Sequence, residues 1–459
     1  MYRKNLIFSK KSTHIAAYRN GFFWGIGNGL LGSTLVTFLL MDICGTRDFQ
    51  KIGLPVAWII AAPRLAGLFR MSAPFLIDHF GTRKWFCVIL YLIAPMLLGG
   101  IPLLVPLLME FHSVSVSIVA IVSIWCIYHL LEYLATTAFW SWFGDLVPAQ
   151  IRGRFIAVRE RWLLLGQILG IILVTQYMFF LNTTNLAQWE QYLVPALSGA
   201  VLLVLSAVPL ITVPEVPWKK SDFNLKKRLR QIFLPMTNRR FLLFCFFGCW
   251  INIANGLTQS PQTIANKELF PPLVFGMIPP FLLVLFLINA NRFGQFIISP
   301  RTGKLIDCFG NAPVMMICMA IVSSGSIFYF FATKSQPWWI VGAWIVWIFW
   351  VGVNIGISNL SLALTPREER TAYLAFYFAV TTAVLALATI GGGALFDLFR
   401  TTTFFIPGIH EKWSWSELSF LLSALFRFLS VFILWGIMRL EMKKTKDVNP
   451  GKIDTIKDV

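Results

Sequence analysis

Long apolar runs separated by short polar turns recur along the whole chain, near residues 21–43, 53–77, 85–109, 115–143, 155–180, 191–213, 241–264, 273–299, 312–333, 338–363, 371–396 and 416–440. A helix crosses the hydrocarbon core of a bilayer with about 20 mostly apolar residues, so the pattern predicts twelve transmembrane helices. The seventh and eighth runs are the most interrupted, by Asn, Gln and Pro. The first 19 residues are polar and basic, and the run after them is too long for the core of a signal peptide. It reads as a retained first helix.

One polar stretch divides the twelve runs six and six. Residues 214–240 hold eight Lys and Arg and three prolines. The expected organisation is therefore an N-terminal tail (1–19), a six-helix bundle (20–213), a basic linker (214–240), a second six-helix bundle (241–441) and a C-terminal tail (442–459). Within the linker, "FNLKKRLRQIFL" has the makings of an amphipathic helix on the membrane surface, with a solvated tether as the other reading. The final stretch, "KKTKDVNPGKIDTIKDV", has the composition of a disordered segment.

Composition agrees with a membrane protein: 57% hydrophobic, 15% aromatic and only 13% charged. The charge changes the picture further. Of 39 Lys and Arg residues, 27 fall in one alternating set of loops and the termini, six in the opposite loops and six within the runs. Cytoplasmic loops retain positive charge, so both termini are expected in the cytoplasm, with the protein in the cytoplasmic (inner or plasma) membrane. The formal net charge of +18 is then a topology signal and not a sign of nucleic acid as a partner. Seven cysteines, mostly inside runs, form no loop pattern of the disulfide kind, and Cys245 with Cys249 reads as two buried thiols.

The turn after the second run, "LIDHFGTRK" at 76–84, returns after the eighth as "LIDCFGNAP" at 305–313. Pro148 and Arg152 after the fourth run are matched, four residues apart in each case, by Pro366 and Arg370 after the tenth. Trp24 with "NGL" in the first run echoes Trp250 with "NGL" in the seventh. Six helices have been duplicated, and two similar halves are what alternating access requires. At these residues the chain resembles the major facilitator superfamily, over about residues 20–440. Asp78, Gly81, Arg83 and Lys84 match its signature turn, with Pro74 where the leading Gly stands. The second copy keeps Gly303, Asp307 and Gly310 and loses the basic tail. The resemblance implies an all-α membrane protein of two pseudo-symmetric six-helix bundles and a conformational latch at these residues with Arg152 and Arg370. The residues alone also fit a plain structural hairpin. The fourth run lacks the arginine of many proton-linked members, and "GQILG" at 166–170 keeps two closely spaced glycines without the antiporter proline.

Ionisable residues at membrane depth are expensive, and so they are the candidates for function. They are Arg64, Arg70, Arg159, Arg161, Arg292 and Arg427 with Glu132 and Glu160. Arg159 and Arg161 are expected near the inner interface, where they can snorkel or pair with Glu160. Arg427, in the last run, is expected to be structural. Arg64 precedes Asp78 by 14 residues and Arg292 precedes Asp307 by 15, which puts both ~21–22 Å from the repeated turn. Paired guanidinium forks suit a carboxylate or phosphate, as paired arginines do in nitrate and organophosphate members of the family. The competing reading has each arginine bonding carbonyls within its own half. Glu132, also ~20 Å deep, shares a helix face with His129 and Thr136 and is the candidate proton-coupling site, His129 its modulator. An ion pair between Glu132 and Arg64 is the structural alternative.

A polar set of Asn28, Asn252, Asn255, Gln259, Gln262, Asn354 and Asn359, with Trp24, Trp125 and Trp250 nearby, falls on the first, fourth, seventh and tenth runs. Amides and aromatic faces suit a neutral sugar or glycoside, and interhelical hydrogen bonding is the other reading. The expected function is a secondary active transporter, monomeric and not an enzyme, moving a small polar and anionic solute with a proton or other coupling ion. It needs no cofactor and no metal. Its alternatives are a neutral-sugar transporter, or a sensor or lipid flippase on the same fold.

Overall fold

The structure, a computed structural model, describes residues 11–46, 52–111, 113–147, 149–181, 190–216, 234–271, 274, 280–364, 370–405 and 412–448. The chain divides into two compact units, Met1–Phe223 with Leu273–Leu282 and Asn224–Pro272 with Leu283–Val459. The boundary falls inside the basic stretch.

In the first unit the helices are α1 (Lys11–Leu30), α2 (Ser33–Thr46), α3 (Gly53–Leu68), α4 (Ala73–Phe80), α5 (Arg83–Phe111), α6 (Val114–Leu146), α7 (Ala149–Leu181) and α8 (Leu193–Ile211). The second has α9 (Arg239–Glu268), α10 (Pro280–Phe309), α11 (Asn311–Phe331), α12 (Trp339–Val346), α13 (Trp350–Leu364), α14 (Arg370–Phe399) and α15 (Trp415–Val448). Among the described residues, eleven runs are long and apolar enough to span a bilayer. The second expected span is the exception. It is divided into α3, a 3-10 turn at Phe69–Ser72 and α4.

The first span is also broken, at Leu31–Gly32, into α1 and α2. Its helix begins at Lys11, inside the stretch expected to be a tail, and α15 continues to Val448, well into the expected C-terminal tail. The amphipathic segment expected at 223–234 lies almost wholly outside the described residues, as do 449–459. A short antiparallel hairpin, β1 (Thr403–Phe405) against β2 (Lys412–Ser414), joins α14 to α15. The apolar periodicity that located the spans carries no signal for it.

The duplication is visible in the neighbours. In the first unit α1 lies against α7 and α8, and α5 against α8. In the second α9 lies against α14 and α15, and α11 against α15. These are the first and fifth, first and sixth, and third and sixth spans of each half. Both copies of the repeated turn end a helix on a glycine of positive φ. The Gly81 amide donates to the Ile77 carbonyl at 2.8 Å and the Gly310 amide to that of Ile306 at 2.8 Å. Both glycines are left-handed, with φ of 88° and 87°, a region closed to most side chains. This is why each copy of the motif keeps a glycine there.

Between apolar helices in a bilayer, association comes from close contact rather than escape from water. The first unit achieves it with glycine. Gly25 and Gly29 of α1 and Gly166 and Gly170 of α7 abut one another's backbone so closely that a methyl on Gly29 would lie 2.6 Å from the Gln167 carbonyl oxygen. In the second unit Gly256 meets Ala388 and Thr389, and Gly392 meets Leu257. Aromatic cores complete each bundle, around Phe139, Trp142 and Phe143 in one and Phe241, Phe244 and Phe247 in the other.

Candidate functional site

The ionisable centre of the first unit is on α6. Glu132 is 9% exposed, and its Oε2 lies 3.2 Å from Nδ1 of His129, one turn earlier. The carboxylate thus pairs with His129 and not with Arg64. Three rings enclose the imidazole. Trp125 meets it edge-on at 4.3 Å between centroids, Tyr128 at 4.8 Å and Tyr133 at 5.7 Å. His129 Nε2 is buried and has no hydrogen-bond partner.

Neighbouring helices hold this cluster. The Trp125 indole donates to the Ile59 carbonyl of α3 at 2.8 Å, which locks α6 to α3 at the level of the imidazole. Trp125 therefore faces protein, not solute. One turn beyond Glu132, Thr136 shares a 3.0 Å hydrogen bond with the Tyr91 hydroxyl of α5. Arg64 stands on α3 with Nη1 donating to the Ile60 carbonyl at 2.9 Å, and its guanidinium is near the Tyr133 phenol. Glu132, His129, Tyr133 and Arg64 are thus one neighbourhood.

The turn after α4 forms a second polar centre. Arg83 is only 2% exposed. It donates to Asp145 Oδ2 at 2.6 Å, to the Ser141 carbonyl at 3.0 Å and to the Val216 carbonyl at 3.4 Å. The Lys84 amide donates to Glu215 Oε2 at 2.9 Å, and the Trp142 indole to the Pro214 carbonyl at 3.0 Å. Residues 214–216, expected to start the free linker, are instead fastened to α5 and α6. Of the other latch residues, the side chains of Asp78, Arg152, Asp307 and Arg370 lie outside the described set, and a methyl added at Gly303 would meet open space.

Two further charged residues are buried. Arg159 is 6% exposed, clamped between the Phe139 and Trp140 rings at 4.8 and 5.0 Å, with Nη2 donating to Asn20 Oδ1. It lies two residues before the apolar span Arg161–Met178, at the edge where it was expected, but it is packed between rings and bonded to Asn20 instead of snorkelling, and the side chain of its expected partner Glu160 lies outside the described set. Asp42, inside the first span, is a buried carboxylate absent from the ionisable residues expected at membrane depth. It is 7% exposed and accepts the Tyr192 hydroxyl at 2.9 Å. Its signal was in plain view, as the one Asp within that run.

The amides of the second unit act mainly between helices. Asn252 donates to the Thr381 carbonyl at 3.0 Å, Gln259 accepts the Thr389 hydroxyl at 3.3 Å, and the Trp250 indole donates to the Phe426 carbonyl at 2.7 Å. Asn255 Oδ1 is buried without a partner. Asn354 and Arg292 are exposed. In the first unit Asn28 donates to the Trp24 carbonyl of its own helix, and Trp24 is half-buried. Among the described residues no three His, Cys, Asp or Glu side chains gather as a metal site.

The family model for the Major Facilitator Superfamily matches residues 270–457. No curated protein matches the sequence. Solved structures do. A mutant of the nucleoside transporter NupG superposes with a TM-score of 0.66 at 16% identity, over 93% of this chain and 99% of its own. The inward-open xylose transporter XylE from E. coli gives 0.60 at 15%, over 92% and 95%. The POT family transporter PepTSo gives 0.65 at 12%, over 94% and 98%. At such identities the likeness is one of fold.

Proposed function

We propose that this chain is a proton-coupled secondary transporter of the major facilitator type, moving a small polar solute across a cytoplasmic membrane, both termini inside. The observation that carries the reading is the Glu132–His129 pair, a carboxylate and an imidazole buried at membrane depth among three rings. Such groups are retained at a cost only where they have work to do, and an acid–base pair in contact can take up and release one proton as a unit.

The solute reading is anionic, and it rests on Arg64 and Arg292. Arg64 is one side chain, Tyr133, away from the dyad. An anion bound at Arg64 raises the negative potential at Glu132 and favours its protonation, and by linkage protonation favours the anion. That reciprocity is the thermodynamic basis of symport.

A neutral, hydroxyl-rich solute is the second reading. The unclaimed acceptor at Asn255 favours it, as do the nucleosides and xylose named for two structural relatives. Most of the amide set, however, is occupied between helices.

Reconstituted Glu132→Gln should lose proton-driven accumulation while retaining solute exchange across the membrane. Unaltered pH-driven uptake in that variant removes the dyad from coupling. A thermal-shift screen with organic acids, phosphorylated sugars, neutral sugars and nucleosides identifies the solute class, because a ligand of the native state raises its melting temperature. Stabilisation by anions that vanishes in Arg64→Gln and Arg292→Gln is expected. Stabilisation by neutral compounds alone would transfer recognition to the amides.

A further inference from the structure

Beside the α1–α7 seam runs a groove of about 210 Å³, lined by Ile15, Tyr18, Arg19 and Phe22 of α1 and Trp162 of α7. The four α1 residues fall at i, i+3, i+4 and i+7, one stripe of the helix. Phe22 meets Trp162 edge-on at 5.8 Å between ring centroids, which ties the two walls together, and Tyr18 rests on Phe155 at 5.7 Å. Ile15, Arg19 and Trp162 are exposed. The walls are hydrocarbon and ring surface, and the Arg19 guanidinium is the one formal charge among the lining residues.

The seam also fixes the depth of the groove. α1 and α7 run parallel, since a methyl on Gly21 would meet Arg159 and one on Gly25 would meet Leu163. Arg19 is therefore level with the residues that precede the apolar span Arg161–Met178, whereas Phe22 and Trp162 stand where that span begins. A long charged side chain at that level reaches the headgroups while its stem covers apolar surface, and Trp and Tyr rings favour the same boundary. The described charges beside the groove are of one sign. Arg161, exposed, flanks Trp162, and among the described residues no carboxylate pairs with Arg19. Arg159 is turned away, between Phe139 and Trp140, and His14 lies against Phe155 at 5.2 Å.

We propose that this groove holds one anionic glycerophospholipid of the leaflet in which α1 and α7 begin, its phosphate bonded by Arg19 and an acyl chain laid along Ile15, Phe22 and Trp162. A guanidinium gives a phosphate two parallel, charge-assisted N–H bonds. A zwitterionic lipid such as phosphatidylcholine would bring its own cation beside Arg19 and Arg161, whereas phosphatidylglycerol brings none, and the preference for the anionic headgroup follows. A free phosphate would leave the apolar walls without an occupant. The groove is built from residues that neither the proton nor the solute reading uses, so the lipid site stands or falls independently of the transport reading.

The test is native mass spectrometry of the full chain released from detergent micelles and titrated with dioleoylphosphatidylglycerol or dioleoylphosphatidylcholine, read as the dissociation constant of the first bound lipid. Wild type should take phosphatidylglycerol more tightly than phosphatidylcholine. Arg19→Gln should weaken phosphatidylglycerol about fivefold, the factor that one basic residue near an anionic headgroup is worth, and phosphatidylcholine less. Trp162→Ala removes a wall and should weaken both. Arg439→Gln takes the same charge from α15, where it lies over Trp435, and should change neither. Equal affinity for the two lipids in wild type overturns the proposal, as do equal losses in Arg19→Gln and Arg439→Gln. Displacement of bound phosphatidylglycerol by millimolar glycerophosphoglycerol, which has the headgroup and no chains, overturns the lipid as occupant. Should Arg19→Gln fail to fold, unchanged phosphatidylglycerol affinity in Trp162→Ala overturns the proposal equally.

Discussion

Gly166→Ala adds one methyl to the α1–α7 seam, and its effect can be estimated from the backbone. The added carbon overlaps the Phe22 carbonyl oxygen and lies 3.0 Å from the Ile26 nitrogen and 3.1 Å from the Phe22 carbonyl carbon. These are main-chain atoms within a helix, so no side chain can swing aside. The two helices must separate by roughly 1 Å to restore ordinary contact distances of about 3.5 Å or more. Separation weakens the close approaches at Gly25, Gly29, Gly166 and Gly170 together, each worth about 0.5–1 kcal/mol as a Cα–H···O contact. The loss of roughly 2–4 kcal/mol exceeds the gain of about 1 kcal/mol from replacing a helical glycine by alanine. A net destabilisation of roughly 1–3 kcal/mol is expected, in the range measured for overpacked cores. Gly436→Ala is the control, since nothing lies within 4 Å of its added methyl and only the propensity gain remains. Thermal melts of both variants in one detergent should place Gly166→Ala below wild type and Gly436→Ala at or above it. If Gly166→Ala melts at or above Gly436→Ala, the seam does not hold the first unit in the way described.

Asp145→Asn removes the carboxylate from Arg83 and leaves it Ser141 and Val216. Because Asp145 is 56% exposed, the loss is discounted to about 1 kcal/mol, and the Lys84 amide next to it should exchange with deuterium faster than in wild type. Unchanged exchange there would mean that Arg83 does not depend on Asp145. Gly310→Ala meets only the Pro313 ring, in ordinary contact at 3.9 Å, but a φ of 87°, so it should cost about 1–2 kcal/mol of backbone strain. Gly303→Ala, with open space and ordinary φ, should gain up to about 1 kcal/mol, and a melt that ranks the two in the opposite order would contradict the turn geometry.

Hydrophobic periodicity placed a helix in every expected run, because the bilayer demands an apolar stretch of similar length from each. It could not see where α3 ends and α4 begins, since a change of backbone geometry at Phe69–Ser72 leaves the hydropathy intact. Helices that extend beyond the hydrocarbon, such as α1 from Lys11 and α15 to Val448, were likewise invisible to an apolar criterion. The Glu132–His129 contact was legible from spacing, because residues three apart on a helix are neighbours. The partners of Arg83 and Arg159 were not. They depend on which helix faces which, information that no single stretch of sequence carries. Trp125, Trp250, Asn252 and Gln259 show the same limit. Their side chains suit a sugar as well as they suit a carbonyl on the next helix, and only packing separates the two uses.

The break at Leu31–Gly32 makes the first span two levers instead of one rod. The Leu35 amide reaches back only three residues, to Gly32, so the regular ladder does not run through the junction. Bending there costs less than bending an unbroken helix, because fewer main-chain bonds must stretch. The apolar core around Leu35–Met41 can therefore tilt with Asp42 and Tyr192 at the far end, while α1 stays seated on the glycines of α7. In a hydrogen-exchange experiment the first turn of α2 should open ahead of both flanking helices, as the soft point within an otherwise stiff wall.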